Sequence, residues 1–166
     1  MSLKTVIEDS RGAIDADPAN AAAAFKATGQ LVGTTEVAVR AGGKTLTVDE
    51  PPALGGTDLG ANPVEHALIA LASCQAITYR FWAAQLGIEL DSVEVVAEGD
   101  LDVRGFFGFD DRVRPGFTAV RLKVTPVGPE PAARYQQLAD AVDAHCPVLD
   151  LFSNATPIER TIAVTA

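Results

Sequence analysis

Basic side chains are scarce in this chain: 13 Lys and Arg stand against 22 Asp and Glu, a net charge of −9. That argues against a broad phosphate-binding surface for nucleic acid, which needs clustered Lys and Arg. It argues equally against binding to an anionic membrane surface. Long apolar runs are missing too. A membrane-crossing helix needs about 18 or more nearly uninterrupted apolar residues, and the most apolar stretch is broken by His66, Ser73, Gln75, Thr78 and Arg80. No charged-then-apolar signal pattern marks the N-terminus, so the cytoplasm is the expected compartment. No repeat or low-complexity tract occurs. Cysteine is limited to Cys74 and Cys146. In a reducing compartment two thiols are rarely a static staple, which leaves redox-active, metal-bound and inert roles open.

What is present favours one domain with a substantial core: 166 residues, 48% hydrophobic, with a mean hydropathy of +0.16. The organising stretch is Asn62 to Gly87. Asn62 suits an N-cap, Pro63 the first helical position, and Glu65 a return contact to the cap. Gly87 can take the left-handed conformation that ends a helix. Between them the apolar residues go nearly all round, and Ala67 to Ala72 is unbroken. A helix apolar on every side is buried.

Around this helix the pattern is mixed. Residues 1–29 read as an N-terminal helical arm and 30–166 as the main domain. In the arm, Val6, Ile7 and Ile14 give weak periodicity, and Asp17-Pro18 should start an alanine-rich helix through Ala24, with Phe25 as anchor. Leu31 to Val39 and Lys44 to Val48 alternate as strands joined at Ala41-Gly42-Gly43, a hairpin signal. Residues 49–60 form a Pro/Gly-rich loop. Ser92 to Val103 and Phe117 to Val127 read as strands, with a loop or bent hairpin between them. Pro131 should open a helix with Tyr135, Leu138, Ala139, Val142 and Cys146 on one face, and Pro147 should stop it. Pro157 to Val164 reads as a last strand. Segregated strands and buried helices predict an α+β fold.

The two cysteines are the first candidates for chemistry. They lie too far apart for a Cys-x-x-Cys pair, and either could be a small buried hydrophobe. A redox pair needs a thiolate, favoured by a nearby cation or backbone dipole, and a second thiol within approach. Cys74, Cys146, His66 and His145 could be counted as metal ligands, but their spacing fits no zinc pattern. Glu65 could orient a cation near Cys74 or simply cap the helix. Arg40 could supply positive charge to a thiol or be a solvated strand residue. Phe106, Phe107 and Phe109 could form an apolar mouth for a greasy substrate, or pack in a core or interface.

The sequence resembles the OsmC/Ohr family of osmotically inducible and organic hydroperoxide resistance proteins. The resemblance runs from about residue 30 to the end. It is carried by Asp49-Glu50-Pro51-Pro52-Ala53-Leu54-Gly55-Gly56 before Asn62-Pro63-Val64-Glu65, by Ala70-Leu71-Ala72-Ser73-Cys74, and by Glu98-Gly99-Asp100-Leu101-Asp102 with Arg104-Gly105-Phe106. Arg114-Pro115-Gly116-Phe117 and His145-Cys146-Pro147-Val148 complete it. The resemblance implies antiparallel strands wrapped around long central helices in an intertwined homodimer, with sites at the subunit interface. It implies a thiol peroxidase without metal, haem or flavin. Cys74 would be peroxidatic and Cys146 resolving, the substrate a small organic hydroperoxide, and the reductant a dithiol such as a lipoyl group. An OsmC-like protein that binds a hydrophobic ligand with non-catalytic cysteines is the alternative. The hydroperoxide-resistance branch has a glutamate directly after Asn-Pro and an arginine in a Gly-Gly-Arg turn. Here those places hold Val64 and Val32-Gly33-Thr34-Thr35, with Glu65 about 100° further round the helix and Arg40 the nearest substitute.

Overall fold

Two antiparallel sheets and one long helix set the architecture in the computed structural model, which describes residues 2–165. The chain runs α1 (Leu3–Ala16), β1 (Ala27–Leu31), β2 (Val37–Ala41), β3 (Lys44–Val48), α2 (Pro63–Leu86), β4 (Ser92–Asp100), α3 (Val103–Phe107), β5 (Ala119–Val127), α4 (Ala132–Asp143) and α5 (Pro147–Ser153). This is the expected α+β class. No described helix is long and apolar enough to cross a membrane.

Helix α2 forms where its local signals place it. The Asn62 side chain accepts the Glu65 N–H at 2.9 Å, and the Glu65 carboxylate accepts the Asn62 N–H at 2.8 Å. This reciprocal box satisfies two otherwise orphaned donors. Gly87 ends the helix at φ 62°, a conformation that costs glycine nothing. The buried face is Leu71, Gln75, Thr78, Tyr79 and Ala83, at helical spacing. Tyr79 and Ala83 pack with Ile88, Leu90, Leu138 and Val142 into the core. Arg80 then ties α2 to the next strand by donating to the carbonyls of Leu90 and Asp91.

Strands β4 and β5 pair from Ser92↔Val127 to Asp100↔Ala119. Both alternate strictly, with Val93, Val95 and Ala97 inward on one and Val120, Leu122 and Val124 inward on the other. The sheet β1-β2-β3 is different. Its β2–β3 turn is Gly42-Gly43 at φ 53° and 74°, which suits a tight hairpin. Among its strand residues only Val48 is buried. After β3, buried Asp49 accepts hydrogen bonds from the Thr35 hydroxyl at 2.6 Å and from both the amide and hydroxyl of Thr57 at 2.9 Å. This carboxylate holds the hairpin to the irregular loop that leads into α2. The Thr35 hydroxyl and the Thr57 amide keep it well below the usual carboxylate range.

Several expectations fail for identifiable reasons. The alanine-rich helix from Pro18 to Ala24 is a single 3-10 turn, Pro18–Ala21, and Phe25 is 96% exposed, anchoring nothing. A segment that short has no apolar face to bury and cannot repay helix nucleation. The expected division at residue 29 falls inside β1. The strand expected over 31–39 is broken by a turn in which the Val32 and Gly33 amides both donate to the Glu36 carbonyl. The strand from Ser92 stops at Asp100, because Asp102 caps a short helix by accepting the Arg104 N–H at 3.0 Å. Pro147 stops α4 as expected but also opens α5, so Cys146 sits between two helices. Residues 157–164 form no strand; their alternating apolar side chains find no paired edge within the chain.

Candidate functional site

The fold brings Cys74 and Cys146 together. Their sulfurs lie 3.5 Å apart, with the Cys146 thiol directed at Cys74. Both are free thiols. A disulfide is about 2.05 Å long, so closure requires an approach of about 1.5 Å. Cys74 is partly exposed on the middle of α2, while Cys146 is 2% exposed.

Local sequence explains how Cys146 reaches this position. A residue before proline is steered out of the α region, and Cys146 is extended at φ −81°, ψ 111°. Proline at the first position then permits a new helix, because its missing N–H would be unpaired there. Cys146 thereby becomes the N-cap of α5 and turns its sulfur toward α2. Its thiol is pushed above the ordinary cysteine value, chiefly by burial and further by the adjacent Cys74. The backbone amides of Leu149 and Val148 oppose this. Cys146 is therefore mostly a protonated thiol at neutral pH.

Two adjoining cavities lie near the pair, and the smaller one reaches Cys146. One, of about 730 Å³, is lined by His145, Cys146, Pro147 and Leu149. The larger, of about 1010 Å³, lies between β5 and the helices and is walled by Leu71, Val120, Leu122, Ala139, Leu149 and Phe152. Leu71 is one turn before Cys74 and Leu149 one turn after Cys146, so this space of mixed character, lined also by Arg114, Thr118, Gln136 and Asp143, begins about a helical turn from the thiols. Tyr79 also lines it, and burial together with Asp143 and Asp140 pushes its hydroxyl up to about 12, keeping it protonated.

The remaining candidate residues lie elsewhere. Glu65 is engaged in the capping box at the start of α2. Arg40 is exposed on β2, paired across the sheet with Thr28 and Thr45, and makes no ion pair among the described residues. Phe106, Phe107 and Phe109 pack on one another, with successive ring centroids 5.1 Å apart. They remain exposed, and none of them lines the two cavities beside the thiols. His66 and His145 form no metal-binding group with the cysteines: among the described residues no three His, Cys, Asp or Glu side chains could hold a metal ion.

Two features escaped the sequence reading. Gln75, next to Cys74, is fully buried, and neither end of its amide has a partner among the described residues. An unpaired buried amide costs about 1–3 kcal/mol. Its signal was an amide in the middle of a helix that is apolar nearly all round. His145 stacks on Trp82, with ring centroids 4.2 Å apart. No sequence spacing joins those two residues.

Taken together, an α+β domain carrying two facing thiols, one mid-helix and one at a helix start, defines a thiol-bearing class of protein. Residues 56–161 match the family model described as OsmC-like protein, and the chain belongs to that family. Solved structures agree on the fold. The chain is similar to an organic hydroperoxide resistance protein from Legionella pneumophila at 20% identity and a TM-score of 0.61, covering 78% of this chain and 89% of that one. It is similar to an OsmC-like protein from Mycoplasma pneumoniae at 17% identity and a TM-score of 0.68, covering 79% and 88%. A third, an organic hydroperoxide resistance protein from Elizabethkingia anophelis with thiocyanate bound, shares 19% identity at a TM-score of 0.60, covering 78% and 88%. No curated protein matches the chain.

Proposed function

We propose that this protein is a thiol-dependent peroxidase that reduces organic hydroperoxides in stress defence. The 3.5 Å approach of Cys74 to Cys146 carries the reading. The Cys74 thiolate attacks the terminal peroxide oxygen; the O–O bond breaks, and the alkoxide leaves as the alcohol after taking a proton. Cys74 becomes a sulfenic acid. Cys146 Sγ then attacks Cys74 Sγ, the S–O bond breaks, and the hydroxyl leaves as water with the Cys146 proton. The resulting disulfide is reduced by an external dithiol, of which a lipoyl group is one chemical example. A reducing compartment such as the cytoplasm suits this cycle. Leu71 and Leu149, each one turn from a thiol, offer apolar contacts that suit an organic peroxide, and the hydroperoxide resistance names of the Legionella and Elizabethkingia proteins point the same way.

A homodimer belongs to this proposal. The outer face of α2 leaves Ile69 and Ile77 more than half exposed at helical spacing. The sheet β1-β2-β3 has almost no buried face of its own, and such a sheet needs a packed surface to be stable. Ile158, Ile162 and Val164 are exposed in the C-terminal segment. A second copy would cover all three regions.

The decisive experiment is mass spectrometry after one equivalent of cumene hydroperoxide. The expected product is a Cys74–Cys146 disulfide formed within one turnover. Cys74→Ser should lose hydroperoxide consumption, while Cys146→Ser should stop after one turnover with a sulfenic acid on Cys74. Full activity in Cys74→Ser defeats the proposal. Thiols that stay reduced while a hydrophobic molecule co-purifies would favour ligand binding instead.

A further inference from the structure

We infer that His145 and Trp82 form a positioning clamp that holds the Cys146 thiol against Cys74 for disulfide closure; the inference rests on the peroxidase reading above. The imidazole lies 4.2 Å from the indole, centroid to centroid, at an interplanar angle of 34°. Its Nδ1–H donates to the Ala141 carbonyl at 2.7 Å. Trp82 is itself packed against the core cluster, so it offers a fixed surface. One ring therefore joins three parts: the last turn of α4 through Ala141, α2 through Trp82, and the bend between α4 and α5 through its own backbone.

The spacing on α2 gives this contact its consequence. Trp82 and Cys74 are eight residues apart, about 12 Å along a helix axis at 1.5 Å per residue. His145 and Cys146 are neighbours in sequence. Two consecutive residues of the bend thus meet α2 at two separated points, one by ring stacking and one by sulfur. A single contact would let the bend pivot; two contacts fix its angle as well as its position. Fixing that angle raises the effective concentration of Cys146 at Cys74. His145 touches neither the substrate nor the reacting sulfurs, so it acts through the geometry of Cys146.

The test measures closure apart from peroxide chemistry. In dithiothreitol redox buffers without peroxide, the effective concentration of the Cys74–Cys146 pair should fall about tenfold in His145→Ala, equivalent to about 30 mV for a two-electron couple. His145→Phe keeps a ring over Trp82 and should recover to within about threefold of the unaltered protein. With peroxide, dimedone trapping should show the Cys74 sulfenic acid living about tenfold longer in His145→Ala. An unchanged equilibrium in His145→Ala, or equal loss in His145→Phe, overturns the clamp. Trp82→Ala should match His145→Ala; where it fails to fold, the two substitutions at exposed His145 decide. A protein that forms no sulfenic acid at all would sink the peroxidase reading, while the thiol equilibrium would still judge the clamp.

Discussion

The two sheets of this protein are built from similar strand signals, yet one has a core and the other does not. Strands β4 and β5 alternate strictly and lie over α2, whose inner face meets Leu138 and Val142 of α4. The first three strands also alternate in sequence, but only Val48 is buried; Val37 and Val39 are half-buried and the rest are exposed. Alternation says that a strand has a face to bury; it does not say against what. The C-terminal part of the chain supplies both the packed surface and the thiol pair. The N-terminal sheet hangs on that unit through Asp49 and its loop, and the proposed second copy would complete it.

Substitutions can break or sharpen this contrast. The largest effect is expected at the proposed dimer face. Ile77→Arg should weaken self-association about 100-fold or more, since it buries an unpaired charge. Sedimentation reads this directly, and amide exchange should then become fast in β1 to β3 while β4 and β5 stay protected. An unchanged assembly would mean that the sheet finds its cover elsewhere. Next comes truncation within each region. Leu138→Ala should cost about 2–5 kcal/mol in chemical denaturation. Leu46→Ala, on the sheet that a single chain leaves uncovered, should cost less than about 1 kcal/mol when measured in the dissociated Ile77→Arg protein. Equal costs would erase the distinction.

The link between the regions is the third target. Asp49→Asn should lower Tm by roughly 5–10 °C at neutral pH, because the carboxylate's donors lose their charged acceptor. Native Asp49 has a depressed pKa, so its stabilisation is present above the unfolded value of 3.8 and fades as pH falls below it. The Asn variant should lack that part of the acid transition in a circular dichroism titration. The smallest effect concerns Cys146. Its raised pKa means that the thiolate fraction grows up to about tenfold per pH unit below that pKa. Disulfide closure in stopped flow should therefore quicken by about that factor from pH 7 to 8, and a flat profile would show that another step limits it.

Legibility followed the range of the interactions. Helix α2 could be read to its ends because Asn62, Pro63, Glu65 and Gly87 act within one turn. The strand faces at Val93, Val95, Val120 and Leu122 were legible for the same reason. Pro147 was read as a stop, but its lost amide serves a helix start equally well. Residues 157–164 carry strand alternation without an edge to join, and sequence cannot supply a neighbour. The thiol pair is the extreme case: positions 74 and 146 meet only after α2, α4 and α5 have packed. Composition could name the thiols; only the resemblance suggested that they work together. Arg40 and the phenylalanine trio show the converse, residues with plausible chemistry that a single chain leaves away from the sulfurs.

The proline after Cys146 has a mechanical consequence. A thiol inside a continuous helix can shift only by a change of side-chain rotamer or by movement of the helix as a body. Here one sulfur sits at the joint between α4 and α5, each of which keeps its own hydrogen bonds. In the proposed cycle the remaining approach of the two sulfurs would be taken up by side-chain torsions and small adjustments at this joint, with both helices intact.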